Sequence, residues 1–357
     1  MPARETPKGP HGAFDLPSVT IDSYNLEVRH QDGFIGDRAS KRAFVEVLED
    51  WRERFRQYDE DPLGDKPSSQ IGKKKLEEIF LNGDPDAVGI IHGAVEDFSQ
   101  ELAAVTRRFL RTKGWENTQN IAVGGGFRQG RLGELVIGRT SGLLKGSGHD
   151  VKLMPIRQHP DHAGLIGVAH LIPPWALEGH QALIGVDIGG SNIRAGVVTL
   201  NMQKEKDLSL AEVWKTELWR HADDKPKRTS AVKRLVEMVR DLIARAEKEG
   251  MKLAPIIGVG CPGVIEPDGS IDRGGQNLPG GNWESDHFNL PELIAKEIPS
   301  IGKHDTTVLM HNDAVVQGLS QIPFMADVAH WGILTIGTGL GNARFTNKAA
   351  VKGKKAG

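Results

Sequence analysis

Residues 182–200 constrain the fold more than any other stretch of the sequence. They read ALIGVDIGGSNIRAGVVTL, with apolar runs on both sides of a short turn that contains Gly189 and Gly190. Two strands joined this tightly predict a hairpin, because glycine lets the backbone bend where a side chain would collide. Backbone amides in such a turn can face an anion, and Asp187 at the strand end can hold a cation beside it. The stretch predicts a phosphate and magnesium site, although an ordinary Gly-Gly hairpin would look the same.

Two common nucleotide-binding loops are excluded at this hairpin. No GxxxxGK[ST] sequence occurs in the chain, and the glycines lead into a strand where a Rossmann turn would lead into a helix. A second glycine cluster, Gly124, Gly125 and Gly126, follows an apolar strand predicted at 120–123. It lacks the GxGxxG spacing, and we expect it to let a flat ring approach the backbone.

Composition narrows the class of protein. A chain of 357 residues suits two lobes, and its formal net charge of -2 indicates neither a nucleic-acid nor a membrane partner. Cys261 is the only cysteine, so neither an intrachain disulfide nor a cysteine-cluster zinc site can form. Apolar signal and membrane-spanning segments are lacking, which predicts a cytoplasmic protein.

Apolar periodicity predicts an α/β chain. Residues 1–35, rich in Pro, Gly, Asp and His, are predicted to be a loop or a loosely ordered arm. Predicted helices cover 41–55, a segment starting near 72, 84–113, 131–145, 163–171 and 229–250, the last with Ser230 as its N-cap. Predicted strands beyond those already named cover 151–155, 210–219, 255–260, 306–310 and 331–336.

Three further motifs carry candidate chemistry. The first, CPGVIEPDGSIDRGGQNLPGGNW, follows a buried strand and includes Gly263 and Asn277. The second places Asn312 and Asp313 at the carboxyl end of the predicted strand 306–310, where ligands collect in open α/β sheets. The third, GTGLG, begins at Gly337 directly after the last predicted strand. Each also has a structural reading: a glycine-rich loop for the first and third, and a helix-capping acid for Asp313.

Together these motifs resemble the ROK family of sugar kinases, which belongs to the actin and hexokinase superfamily. DIGGSNIR is similar to the first phosphate motif of that family, GxPG with NLPG to its sugar loop, NDA to its catalytic segment and GTG to its second phosphate motif. The resemblance covers roughly residues 75–345. It implies a two-lobed actin-like ATPase (ribonuclease H-like) fold and ATP-dependent phosphorylation of a glucose-like hexose, expected at the 6-hydroxyl.

The resemblance also implies a role for each motif residue. Asp313 would be the general base, which typically contributes about 10²- to 10⁴-fold to such a reaction. Asp187 would hold Mg²⁺ through water. ATP and its phosphates would be bound by Asp187, Gly189, Gly190, Ser191, Asn192, Gly337, Thr338 and Gly339, with Gly124, Gly125 and Gly126 bordering the adenosine. The sugar would be bound by Gly263, Asn277, Asn312 and Asp313. Arg194 is expected to tie the hairpin to its lobe and not to contact a phosphate.

The motif order is inverted relative to the family. The elements that normally close a ROK chain precede the hairpin that normally opens it, and only about ten residues, 173–182, separate the two, a typical loop length. We therefore predict a circular permutation, with 1–175 as the later part of the second lobe. Residues 182–326 would form the first lobe, and 327–357 the opening of the second. The alternative is a fusion or gene rearrangement joining halves of different kinases.

The sequence also departs from the family. In ROK kinases a Gly-Glu-x-Gly-His segment that contacts the sugar, and commonly a zinc-binding cysteine cluster, follow the GTG motif. This sequence reaches residue 357 about where the segment should begin. His11 or an acid of the N-terminal arm could substitute. The departure leaves open an inactive sugar- or nucleotide-binding regulatory protein, and a kinase with another phosphoryl donor, such as polyphosphate. A homodimer is the family habit, and the expected partner is a small-molecule sugar.

Overall fold

A computed structural model of the chain describes residues 10–30, 33–126 and 130–348. Its strands are β1 (Val19–Tyr24), β2 (Arg29–His30), β3 (Gly33–Phe34), β4 (Asn120–Gly124), β5 (Lys152–Pro155), β6 (Ala182–Ile188), β7 (Ile193–Thr199), β8 (Glu212–Trp219), β9 (Leu253–Cys261), β10 (Val264–Ile265), β11 (Ile271–Arg273), β12 (Ser300–Ile301), β13 (His304–Asp305), β14 (Thr307–Asn312), β15 (His330–Ile336) and β16 (Leu340–Asn347). Its helices are α1 (Lys41–Arg56), α2 (Lys73–Asn82), α3 (Pro85–Leu110), α4 (Arg131–Gly146), α5 (Pro160–Gly167), α6 (Pro174–Leu177), α7 (His221–Asp224), α8 (Arg228–Lys248), α9 (Leu290–Glu297) and α10 (Asp313–Leu319).

Two five-stranded mixed sheets organise the protein. The first runs in the order β14-β9-β6-β7-β8 and the second in the order β1-β16-β15-β4-β5. We call the sheet of β6, β7, β8, β9 and β14, with the helices and short strands between them, the first lobe. The sheet of β1, β4, β5, β15 and β16, with its helices, is the second lobe. The α/β prediction is confirmed, and the paired mixed sheets are consistent with an actin-like ATPase fold.

Both sheets repeat one topology. Each starts from an antiparallel hairpin, β6–β7 or β15–β16, adds a third antiparallel strand beside the second hairpin strand, and adds two parallel strands beside the first. In the first lobe the strands follow in chain order. In the second lobe the third strand is β1, whose Val19 pairs with Asn347 of β16. The permuted order was predicted from motifs alone, and it remains a prediction.

One expectation about the N-terminal arm was wrong. Residues 19–24, predicted to be part of a loop, form β1, and Val19 and Ile21 are buried in the core between the lobes. The strand was missed because its partner, β16, lies at the other end of the sequence and no local pattern reports that pairing. Residues 1–9 and 31–32 lie outside the described residues.

The helix α8 also begins earlier than expected. It starts at Arg228 with Lys227 at the N-cap position, so the predicted N-cap at Ser230 was wrong. The backbone amide of Arg228 donates to the carbonyl of Gly280, and its guanidinium lies 4.1 Å from the ring centroid of Phe288. These tertiary contacts stabilise an extra turn that local capping signals do not predict. The predicted helix 163–171 divides into α5 and a 3₁₀ turn at 168–171.

The lobes meet at a tightly packed pair of helices. The helix α5 lies across α10, and a Cβ atom at Gly167 would come within 1.7 Å of the carbonyl oxygen of Val316. A Cβ at Gly164 would likewise come within 2.7 Å of the carboxyl carbon of Asp187. The small residues of the predicted AGLIGVAHL helix therefore let its backbone approach both α10 and the hairpin.

Candidate active site

Two carboxyl groups lie at the carboxyl ends of the two parallel strands that flank β9; Asp187 is buried and Asp313 is half-buried. Asp187 ends β6 and Asp313 follows β14, and both strands pair with β9 between them. Burial raises the pKa of Asp187 above its ordinary value, with the nearby Asp161 adding to that effect and Arg194 opposing it. Burial, and then the charge of Asp187, raise the pKa of Asp313 to about 7. A carboxyl with that pKa can accept a proton near neutral pH.

Arg194 compensates one of the two charges. Its guanidinium lies 3.5 Å from the carboxylate of Asp187 and 2.6 Å from that of Asp161, at the start of α5. Arg194, on β7, therefore joins the hairpin to α5 through Asp161 and pairs with β6 through Asp187. Asp161 was not singled out from the sequence, and only the fold brings it to this place.

The two phosphate motifs face each other across the lobes. The hydroxyls of Ser191 and Thr338 are 3.2 Å apart. A Cβ atom at Gly190 would lie 3.2 Å from the Cβ of Asn277 and 3.5 Å from the hydroxyl of Thr338, so glycine keeps this space open. The structure thus brings three separately predicted motifs together around Gly190.

Both motifs form tight backbone turns. The amide of Gly189 donates to the carbonyl of Asn192 at 2.8 Å, and the amide of Gly337 donates to the carbonyl of Gly339 at 2.9 Å. The imidazole of His221, which sequence reasoning missed, donates through Nε2 to the carbonyl of Gly189 at 2.8 Å. Its sequence neighbours carry no motif, so only tertiary structure identifies it.

The glycines at 124–126 adjoin the second phosphate motif. Gly125 has a φ of +84°, and a Cβ there would come within 2.3 Å of the carbonyl oxygen of Ile336. Glycine is therefore required at 125 by the backbone of β15, the strand before Gly337, and not by the flat ring that the sequence suggested. Gly126 faces open space. The buried Oε1 of Gln317 would lie 3.2 Å from a Cβ at Gly124, and it has no hydrogen-bond partner among the described residues. The sequence did not indicate Gln317.

Both polar atoms of the Asn312 side chain are hydrogen-bonded to the protein backbone. Its Oδ1 accepts from the amides of Ala314 and Val315 at 3.0 and 3.2 Å, which caps α10, and its Nδ2 donates to the carbonyl of Gly263 at 2.9 Å. Asn312 is the N-cap residue, and the carboxylate of Asp313 also accepts from the amide of Ala314 at 2.9 Å. The structural reading of Asp313 as a helix-capping acid therefore applies in part. Gly263 has a φ of +106° and packs against the backbone of Arg273. The sugar-binding roles of Asn312 and Gly263 stay predictions.

The residues that were expected to substitute for the family's sugar segment have partners within the protein. Nδ1 of His11 accepts from the amide of Met310 at 3.1 Å, and the carboxylate of Asp15 pairs with Lys348 at 2.7 Å. The predicted end of the family pattern falls in residues 349–357, outside the described residues. Whether His11 contacts a sugar stays a prediction.

The residues present fit one Mg²⁺ beside bound phosphates. Mg²⁺ is usually held by one or two carboxylates together with phosphate oxygens and water, and the buried Asp187 is the second-last residue of β6, just before the turn 189–192. Within residues 10–30, 33–126 and 130–348, no group of three or more His, Cys, Asp or Glu side chains could hold a metal ion. In the same residues, every helix is too short or too polar to cross a membrane.

Residues 183–357 match the model of a known protein family, which is described as ROK family. These residues form a ROK family domain. The ROK domain contains the hairpin, the sugar loop, the NDA segment and the GTG motif, so the resemblance is confirmed for this half of the chain, while the residues before it lie outside the match.

Known relatives match about half of this chain. A glucokinase from Thermotoga maritima is 29% identical over 174 residues, which are 48% of this chain and 47% of that protein. The chain therefore spans about half the length of this relative. A ROK family glucokinase from Streptomyces griseus, solved with glucose and AMPPNP, is 22% identical and covers 47% of this chain and 46% of its own, with a TM-score of 0.34. The ROK hexokinase from Thermus thermophilus is 20% identical over 45% of each chain, with a TM-score of 0.29.

Proposed function

We propose that this protein is a sugar kinase that transfers the γ-phosphoryl group of ATP to the 6-hydroxyl of a glucose-like hexose. The observation that carries the proposal is Asp313, a half-buried carboxyl whose pKa is about 7 and which lies near Asp187. The ROK match of residues 183–357 and the names of the relatives support the sugar-kinase class.

Asp313 is the proposed general base. The sugar hydroxyl would lose its proton to Asp313 as its oxygen bonds to the γ-phosphorus, while the bond to the β,γ-bridging oxygen breaks and ADP leaves. Burial raises the pKa of Asp313, so the group is a stronger base than a solvated aspartate yet is still largely ionised slightly above pH 7. Binding alone does not require such a base.

The two facing turns are proposed to hold the nucleotide. The turn of Gly189, Gly190, Ser191 and Asn192 would contact its phosphates from the first lobe, with the amide of Gly189 closing the turn on the carbonyl of Asn192. Gly337, Thr338 and Gly339 would contact them from the second lobe, and Gly124 to Gly126 would border the adenosine. Asp187 would orient Mg²⁺ through water, and the metal ion would supply charge neutralisation for the transferring group.

Sugar recognition is assigned to the loop that faces the hairpin. Asn277 lies against Gly190, beside the two phosphate turns, and is the proposed ligand of a sugar hydroxyl. Asn312 and Gly263, which are hydrogen-bonded to each other, would shape the floor of the same subsite. The identity of the hexose follows from the substrate panel below.

A second candidate is a sugar- or nucleotide-binding regulatory protein without catalysis. It is favoured by the commitment of both ends of the Asn312 amide to the backbone, which leaves it few groups for a substrate. Polyphosphate in place of ATP is a further alternative within the kinase class.

The deciding experiment measures sugar-dependent ADP release over a panel of hexoses and N-acetylhexosamines. We expect release with at least one sugar, and a fall in kcat of about 10²- to 10⁴-fold in Asp313→Asn. The matched control is Asp305→Asn, an exposed aspartate on β13 of the same lobe, which should keep wild-type kcat. Hexose binding by calorimetry without any release would contradict the kinase proposal and favour the regulatory protein.

The circular permutation, with the domain limits given above, is also part of the proposal. The shared strand order of the two sheets and the pairing of β1 with β16 support it. The alternative remains a fusion or gene rearrangement that joins halves of different kinases. A cytoplasmic location, a homodimer and the lack of a nucleic-acid or membrane partner remain predictions.

A further inference from the structure

The N-terminal arm, residues 10–18, lies against the outer edge of the strand that leads to Asp313. The amide of Gly12 donates to the carbonyl of Met310 at 3.0 Å, and Nδ1 of His11 accepts from the amide of Met310 at 3.1 Å. A Cβ atom at Gly12, whose φ is +57°, would come within 2.0 Å of the carbonyl oxygen of Ile265. Because β14 is an edge strand, its free backbone groups would otherwise need water or another partner. The arm supplies that partner.

His311 connects this arm to the residues around Asp313. Its Nδ1 accepts from the amide of Asn312 at 2.7 Å, so the ring proton is on Nε2, which donates to the carbonyl of Ala13 at 3.2 Å. The ring is 1% exposed, and burial lowers its pKa to about 4, so the imidazole is neutral near pH 7. Both ring nitrogens therefore have fixed roles.

Asn312 passes this constraint on to the helix that carries Asp313. Its side chain caps α10, as described above, and its backbone amide is held by His311. A continuous chain of hydrogen bonds thus runs from Ala13 through His311 to the first turn of α10. Asp313 is the first residue of that helix.

The strand β1, which directly follows the arm, belongs to the second lobe. Tyr24, at the end of β1, accepts from the amide of Ile265 at 3.3 Å and donates to its carbonyl at 3.4 Å. Its ring lies edge-on to His311 with 5.1 Å between centroids. The same strand pairs with β16 behind the GTG motif, so the arm links the phosphate-binding lobe to the strand of the base.

We propose that His311 is a positioning residue that fixes the orientation of Asp313 by joining Asn312 to the N-terminal arm. This inference rests on the proposed function of Asp313 as general base. His311 itself touches no substrate. Its loss should therefore reduce kcat by a larger factor than it changes the sugar KM.

The test compares three substitutions at this position. A lost hydrogen bond to a buried group costs about 1–3 kcal/mol, which corresponds to roughly a 10- to 100-fold fall in kcat for His311→Ala. His311→Asn keeps an acceptor near Nδ1, and His311→Gln keeps a donor near Nε2. Each should recover part of the loss. Wild-type kcat in His311→Ala, or an equal change in KM and kcat, would overturn the inference.

A second buried histidine provides the control. His170 lies in the core between the lobes, its pKa is lowered to about 4 by burial, and its Nε2 has no partner among the described residues. His170→Ala should lower the melting temperature and leave kcat of the folded enzyme within about two-fold, since no hydrogen bond reaches Asp313 from it. A kcat loss as large as that of His311→Ala would show a general packing effect and overturn the positioning role.

Hydrogen exchange separates this inference from the proposed function. In His311→Ala the Asn312 amide loses its acceptor, so its exchange should accelerate at least tenfold relative to wild type, whether or not the protein phosphorylates sugar. Wild-type protein without sugar-dependent ADP release would contradict the kinase proposal alone. Unchanged exchange at Asn312 would overturn the hydrogen-bond chain alone.

Discussion

The two sheets share one strand order but are built from the chain in different ways. The first-lobe sheet comes from one continuous stretch, residues 182–312, in chain order. The second-lobe sheet takes β1, β4 and β5 from the first half of the chain and β15 and β16 from residues 330–347. The second and third strands are joined in sequence in the first lobe (β7 and β8) but not in the second (β16 and β1), and the strand order is the same. We infer that strand pairing and core burial determine this order. A connecting loop contributes only a modest entropy.

The sheets also differ in the chemistry that they carry. The two acids with raised pKa values, Asp187 and Asp313, lie in the first lobe, whereas the second lobe contributes glycine-rich turns and Thr338. The two sets meet only because α5 and α10 pack closely between the lobes. The following predictions test how far the site depends on that contact and on each sheet.

The largest effect on stability is expected at the contact between α5 and α10. In Gly167→Ala the new methyl group would overlap the carbonyl of Val316, which must force the helices apart. Overpacking of this kind costs about 3 kcal/mol or more. We expect a strongly lowered urea midpoint and loss of ADP release.

The matched control is another helical glycine, Gly138 in α4, which faces open space. Gly138→Ala should stabilise the protein by about 0.5–1 kcal/mol, because alanine reduces the entropy of the unfolded chain without a clash. Equal urea midpoints for the two variants would contradict the packing argument.

The next largest effect is the pH dependence that the first-lobe acids impose. Because the pKa of Asp313 is raised to about 7, log kcat/KM should rise by about one unit per pH unit below 7 and level off above it. A flat profile between pH 5 and 8 would argue against Asp313 as the base.

The free energy of unfolding should depend on the same ionisation, but it should fall with rising pH where kcat/KM rises. The folded-state pKa of Asp313 is above its ordinary value of 3.8, so its stabilising contribution is present below pH 4 and is lost as pH rises to about 7. Asp313→Asn should therefore gain melting temperature relative to wild type at pH 8, by about 2–4 °C per kcal/mol. The difference should shrink at pH 4, and a difference independent of pH would contradict the buried ionisation.

Changing the connectivity tests the comparison of the sheets directly. Joining residue 357 to residue 1 and opening the chain between the exposed Glu178 and Gly179 would give both sheets their strands in chain order. Because loop closure changes by only about 1 kcal/mol, we expect cooperative unfolding within a few degrees of wild type by circular dichroism. Failure to fold would show that the second-lobe sheet needs its present order.

The smallest effect is expected where the turns of the two lobes touch. Ser191→Ala removes a hydroxyl that lies 3.2 Å from that of Thr338 in an exposed position. A single hydrogen bond contributes about 0.5–1.5 kcal/mol, so the KM for ATP should rise about two- to ten-fold with little change in stability. Ser209→Ala, at an exposed turn before β8, is the control and should leave this KM unchanged.

Much of the candidate site was predictable because its residues cluster in short motifs. Gly190, Ser191, Asn277 and Thr338 were named from sequence, and the structure brings them together, while their binding roles stay predictions. Strand ends and glycine turns follow local rules, so their positions need no knowledge of the rest of the chain. The other residues of the site obey no such rule.

His221, Asp161 and Gln317 were missed for one reason. Each carries its contact to the site through tertiary structure, without a motif or a periodic pattern around it. The early start of α8 has the same origin, because the contacts of Arg228 with Gly280 and Phe288 extend the helix. Local propensity is a weak prior wherever such contacts compete with it.

The sequence by itself determined the α/β class, most helices and strands, and the residue types of the site, because periodicity and turn chemistry are local properties. Only the tertiary structure decided that 19–24 is a strand, since β16 supplies its hydrogen-bond partners. It also decided that Asp313 has a pKa near 7, because that value depends on burial and on the charge of Asp187. A pairing partner and a local dielectric environment are both set by residues far away in the chain, and no short stretch of sequence contains them.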